Sequence, residues 1–159
     1  MGRKYRRNRE EYCNRLGFNP NKYINSGYLP DERYTRPYRT PRRGEVWFAE
    51  LGYHGNTSVQ EGCRPVIIVS NDECNHHADT ICVLPMTSKL KKGYLPSHVE
   101  IGQEDLKRRN TGRIFEPSMI LAEQITTISK TSLRSYLGIV GDGEKMREIN
   151  NAVRAQLMV

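Results

Sequence analysis

No apolar run in the 159-residue sequence approaches the ~20 residues that a membrane span requires. The Arg-rich N-terminus has no apolar stretch behind it, so a secretory leader is not expected either. The four cysteines, Cys13, Cys63, Cys74 and Cys82, form no CxxC pair and no regular framework. A disulfide scaffold is thereby excluded, and a reduced, soluble, cytoplasmic protein is the expectation. HExxH, DxD and carboxylates at hard-metal spacing are missing, and Cys74, His76 and His77 match no common zinc spacing. No metal and no cofactor is therefore expected. Gly141-Asp142-Gly143 lacks the lysine of a phosphate-binding loop, and no G-x-S-x-G occurs, which argues against P-loop nucleotide hydrolysis and serine-hydrolase chemistry. Hydrophobic residues make up only 36% of the chain, enough at this length for one cored domain and too little for two.

What is present is unevenly placed. Residues 1–43 hold 12 Lys+Arg against 4 Asp+Glu, whereas residues 44–159 hold 13 against 14. The basicity belongs to the N-terminal segment, and any nucleic-acid site in the rest must be a local patch. That segment also carries six of the nine tyrosines, four of the eight prolines and little Leu, Ile or Val. Such a composition buries too little apolar surface to offset chain ordering, so residues 1–42 are expected to form an extended or partly ordered arm, with a short helix conceivable near residues 9–16. Interleaved Arg and Tyr suit base stacking and phosphate pairing, although a solvated extension has the same composition.

From residue 43 the pattern changes to short strands. Glu45–Leu51 is rich in aromatic and β-branched residues, and Pro65–Ser70 reads as a strand buried on both faces, with Arg64 at its mouth. Thr80–Met86 follows, its Pro85 suggesting an edge or a bulge. Ser97–Ile101 alternates with one apolar face, and Ser118–Ala122 and Gln124–Ile128 supply one or two more strands. Residues 103–110 read as a polar connection, and Leu133–Val140 is ambiguous between a helical turn and a last strand. Asp142 suits a helix cap, and Met146, Ile149, Val153 and Leu157 recur at spacings of three and four. The fold class expected is mainly β, a compact barrel or small sandwich with one C-terminal amphipathic helix.

The chemistry left open by these absences is metal-free phosphodiester transfer in RNA, in which the substrate's own 2′-OH is the nucleophile. Such a site must orient that hydroxyl, stabilise charge on the phosphate and assist the leaving oxygen. Arg64 suits the second task, because its fork of donors fits phosphate oxygens, and the Thr87-Ser88-Lys89 loop offers a hydroxyl for positioning. The alternative at this point is that Arg64 pairs with Glu61 and Thr87 starts a turn.

Five segments in order, Arg43–Ala49, Gly62–Asp72, Met86–Lys89, Leu95–Ile101 and Ser118–Ile128, followed by the C-terminal helix, resemble the PemK/MazF family of toxin endoribonucleases from type II toxin–antitoxin pairs. The similarity runs from Arg43 to Leu157. It implies an SH3-like β-barrel of the kind PemK, MazF and CcdB share, with a terminal helix. It also implies a toxin domain over residues 43–159, a homodimer and a cognate antitoxin, with DNA bound by the toxin–antitoxin complex. The activity implied is metal-independent, sequence-selective cleavage of single-stranded RNA to 2′,3′-cyclic phosphate and 5′-hydroxyl ends. The family's catalytic pair falls on Arg64 and Thr87, and its RNA-binding positions on Ser58, Gln60, Ser88, Lys89, Glu123 and Gln124. His54, in the loop before Arg64, is a possible auxiliary in proton transfer. Two departures concern binding more than chemistry: Val59 stands where the family commonly has an acidic residue, and Thr126 where it has a basic one. The alternatives are a gyrase-poisoning toxin of the CcdB type, which needs no Arg64/Thr87 pair, and a catalytically inactive RNA- or partner-binding module.

Overall fold

The computed structural model describes residues 40–90, 93–110, 115–141 and 143–159. Most of the expected N-terminal arm, its helix near residues 9–16 and the Asp142 cap fall outside these residues.

The described chain is eight antiparallel strands and two α-helices. β1 (Glu45–Glu50) pairs with β2 (Cys63–Ile68), whose end leads into the short helix α1 (Asp72–His77). β3 (Thr80–Thr87) returns along β2. β4 (His98–Ile101) and β5 (Leu106–Lys107) flank a single 3-10 turn at Gln103–Asp105. β6 (Ser118–Leu121), β7 (Thr126–Ser129) and β8 (Leu133–Val140) follow, and α2 (Gly143–Leu157) closes the chain. The order across the sheet is β4-β6-β3-β2-β1-β8-β5, with β7 added on β3.

β3 explains how this sheet curls. One edge pairs with β2 from Val83 to Pro85, while the other pairs with β7 at Thr80–Val83 and then with β6 at Met86 and Thr87. Pro85 falls in the gap between β7 and β6, so a residue lacking an N–H stands where the strand changes partner. The edge or bulge expected at Pro85 is in the structure a switch point, in a strand that pairs with β2, β7 and β6. Leu133–Val140 is a strand and not a helical turn, because it pairs with β1 along its length and with β5 at its end.

Side chains alternate across a strand, and here both faces are apolar. Val46, Ile67, Val69, Leu84 and Met86 join the main core with Ile101, Ile120, Leu137 and the α2 residues Ile149 and Ala152. Trp47, Ala49, Val66, Ile68, Ile81 and Val83 face the other way, in a second cluster with Ile128 and Leu133. The α2 stripe is shifted from the one read in the sequence. Ile149 and Ala152 are buried and Met146 and Val153 pack against the core, but Leu157 is exposed beyond its edge.

The turn between β2 and β3 is fastened from inside. Asn71 caps α1 by accepting from the Cys74 amide. Asn75, fully buried, donates to the Ser70 carbonyl and accepts from the Ser70 hydroxyl, which itself accepts from the Cys82 amide.

Candidate active site

Arg64 lies inside β2 and not before it, because the strand begins two residues earlier than the apolar run: Cys63 pairs with Glu50 and Arg64 with Ala49. The β2–β3 register pairs Ile68 with Val83, Ile67 with Leu84 and Val66 with Pro85. Carried two residues further, the same register sets Arg64 opposite Thr87, the last residue of β3. By alternation both stand on the face of Val66, Ile68 and Val83, at the rim of the second apolar cluster. Thr87 in turn pairs with Met119 of β6. A cation and a hydroxyl thus lie at the same end of two neighbouring strands, both half-buried.

The Arg64 Nε–H donates to the Glu61 carbonyl at 2.7 Å. No carboxylate among the described residues lies within ion-pair distance of it, and its Nη groups make no hydrogen bond to a described residue. The Glu61 carboxylate turns elsewhere and accepts from the His54 amide at 2.9 Å. Hence the simple Arg64–Glu61 ion pair is not formed. One edge of the guanidinium is held by a neutral carbonyl, and the charge is left for another anion.

Glu61 ends a loop, residues 51–62, whose neck is closed by two backbone bonds: Leu51 N–H to the Gly62 carbonyl and Gly62 N–H to the Gly52 carbonyl, both 2.9 Å. Gly62 takes φ 75° at this neck, a conformation in which a Cβ is strained. His54 is exposed on the loop, its Nε2 3.2 Å from the Leu51 carbonyl. The Thr87 hydroxyl accepts from the Lys89 amide at 3.2 Å, turning the chain so that Ser88 and Lys89 are exposed next to the pair.

The remaining expected residues come together on the other side of this loop. Glu123 and Gln124 end a 3-10 turn, Ala122–Gln124, which is tied to the sheet by the Ala122 amide on the Ser97 carbonyl. Glu123 Oε1 is 2.9 Å from His98 Nε2, whose side chain is only 6% exposed. Gln124 grips the loop backbone with both ends of its amide: Oε1 accepts from the Gln60 N–H at 2.7 Å, and Nε2 donates to the Ser58 carbonyl at 2.9 Å. Gln60 Oε1 is buried without a hydrogen-bond partner among the described residues, a cost of about 1–3 kcal/mol that the surrounding contacts must offset. The Glu61 carbonyl contact and this grip are features of the candidate site that sequence reasoning missed. The grip joins residues 64 and 66 positions apart, and no local pattern signals it.

In α1, His77 pairs with Glu73 at 3.1 Å and His76 lies 3.5 Å from the Thr40 hydroxyl, while Cys74 is exposed. A cavity of about 470 Å³ beside α2, lined by Val69, Cys82, Ile125 and Val153 with Arg43 and Arg154, includes neither Arg64 nor Thr87. The Arg64–Thr87 row is a surface feature, suited to a strand that lies across it.

Comparisons with known proteins bear on the family and the fold. The family profile described as the PemK-like, MazF-like toxin of type II toxin–antitoxin systems matches residues 42–157. The endoribonuclease MazF of Staphylococcus saprophyticus is 38% identical over 116 residues, covering 73% of this chain and 90% of that protein. A solved endoribonuclease from a mycobacterial species has a TM-score of 0.58 at 26% identity, covering 76% of this chain and 94% of that one. Another mycobacterial endoribonuclease, solved in complex with its cognate antitoxin, has a TM-score of 0.59 at 28% identity, over 75% and 96% of the two chains.

Proposed function

The chain belongs to the PemK-like, MazF-like toxin family of type II toxin–antitoxin systems, and from that premise we propose that Arg64 and Thr87 form the centre at which it cuts RNA. It is an endoribonuclease of the MazF kind. In the proposed reaction the 2′-OH of one nucleotide attacks the adjacent phosphorus, the bond to the 5′-oxygen of the next nucleotide breaks, and a 2′,3′-cyclic phosphate and a 5′-hydroxyl result. The proton lost from the 2′-OH is balanced by one gained at the leaving oxygen. Arg64 stabilises the charge that builds on the non-bridging oxygens, and the Thr87 hydroxyl positions the phosphate or the nucleophile. Charge stabilisation is the role proposed for Arg64, because its planar fork of donors fits phosphate oxygens.

The observation that carries this reading is the β2–β3 register, which runs from Ile68–Val83 to Val66–Pro85 toward Arg64 and Thr87, with the guanidinium held by the Glu61 carbonyl and unpaired with any described carboxylate. In this reading Ser58, Ser88 and Lys89, exposed on their loops, contact the RNA strand together with Gln60 and Glu123. The protein acts in the cytoplasm as a homodimer and is inhibited by a cognate antitoxin that competes for the RNA-binding face. No described helix is long and apolar enough to cross a membrane.

The test is cleavage of a long RNA in EDTA with end mapping. Cuts at one short motif with 5′-hydroxyl ends are expected, and Arg64→Ala should abolish them while the circular dichroism spectrum stays unchanged. Equal cutting by the alanine variant and the parent protein would sink the assignment.

A further inference from the structure

We propose that Gln124 is a positioning residue for Arg64, acting through the backbone of the loop between β1 and β2 and not by contact with RNA. The inference rests on the reading of Arg64 as the catalytic cation.

A side-chain amide reads a nucleobase with one acceptor and one donor. In Gln124 the oxygen already accepts from the Gln60 amide and one of the two N–H groups donates to the Ser58 carbonyl, which turns the amide toward the loop backbone. These two groups belong to the returning limb of the loop. The next residue along that limb is Glu61, whose carbonyl accepts the Arg64 Nε–H. The connection from Gln124 to the guanidinium is therefore short: two hydrogen bonds, one peptide, one more hydrogen bond.

The two ends of this connection differ in how firmly they are held. Gln124 sits on a turn anchored by the Ala122 amide, by buried Ala122 itself and by the Glu123–His98 contact. The limb is exposed at Thr57, Ser58 and Val59, and buries the unpartnered Gln60 oxygen where it stands. A buried acceptor without a partner favours departure of the limb, and the Gln124 amide opposes it. Without that grip the Glu61–Gly62 peptide is held only at the neck, by the Gly62 N–H on the Gly52 carbonyl, and the edge of Arg64 that depends on the Glu61 carbonyl loses its second anchor.

The test uses the full chain and a short RNA carrying one cut site. With Gln124→Ala, kcat should fall about 10²-fold, as expected for a misplaced catalytic group, with KM little changed and the same phosphodiester cut. Hydrogen exchange at the Gln60 amide should quicken in parallel. Gln124→Glu keeps an acceptor for that amide in the same volume; it should recover part of the rate and provides the measurement if the alanine variant does not fold. In an Arg64→Lys background, which cannot make the Nε contact, Gln124→Ala should cost far less than in the parent, because the two changes break one connection. A raised KM or a shifted cut site with kcat preserved would mean that Gln124 reads RNA, and equal losses in both backgrounds would likewise overturn the proposal. Should Arg64→Ala itself still cut RNA, the reading of Arg64 fails and the proposal built on it falls too. Intact cutting by Gln124→Ala beside a dead Arg64→Ala overturns only the role of Gln124.

Discussion

Arg64 combines three properties at one residue: a permanent charge, a fixed edge and a neighbouring hydroxyl in register. The charge was legible from residue type alone. The edge was not, because its partner is a main-chain carbonyl, and any residue at position 61 carries one. The side chain of Glu61, the partner suggested by its charge, is occupied with the His54 amide. A conservative replacement separates charge from geometry. Arg64→Lys keeps the cation but loses the Nε–H contact and the planar fork that fits phosphate oxygens. Its kcat should drop about 10²- to 10³-fold, the range seen when one preorganised donor is removed from a reaction centre. The thermal midpoint should stay within a degree or two of the parent's. A lysine variant with near-parental kcat would show that only charge matters at this position.

Elements explain why Arg64 and Thr87 are rigidly held while the loop before β2 is less constrained. β2 and β3 are apolar on both faces, so a one-residue slip would exchange two buried clusters, and the Arg64–Thr87 register is held by packing on either side. The loop before β2 has no such constraint beyond its glycine neck and the Gln124 grip. Strands were readable because alternation and β-branched runs are local signals, and the switch at Pro85 was half-readable as a defect of unspecified kind. The face of α2 was read one turn too far toward its end, since periodicity marks a stripe and not where the sheet beneath it stops. Accordingly Ile149→Ala, at a fully buried site, should lower unfolding free energy by about 2–5 kcal/mol, and Leu157→Ala by less than about 0.5 kcal/mol. Urea unfolding monitored at Trp47 measures both; equal effects would contradict the packing described for α2.

At the scale of the whole molecule, the chain divides into a basic, Tyr-rich segment and a nearly charge-balanced domain. If the segment supplies phosphate contacts and the domain supplies cutting, their contributions should separate in salt. Removing residues 1–41 should flatten the dependence of RNA affinity on salt concentration and leave the cut site unchanged. An unaltered salt slope would remove the segment from RNA binding. By itself the sequence determined the class of the domain, most of its strands, its terminal helix and its likeness to the PemK/MazF toxins, because apolar periodicity and short motifs are written within a few residues; the two-residue β5, inside what reads as a polar connection, was not legible. It also determined which residue types were available for phosphate chemistry. Tertiary structure alone decided that Arg64 and Thr87, 23 positions apart in the chain, lie at the same end of neighbouring strands, since strand register is a property of two strands and of what they bury. It alone decided that Gln124 holds the loop behind Arg64. Hydrogen bonds to main-chain groups depend on where the backbone passes, and side-chain identity carries almost no record of that.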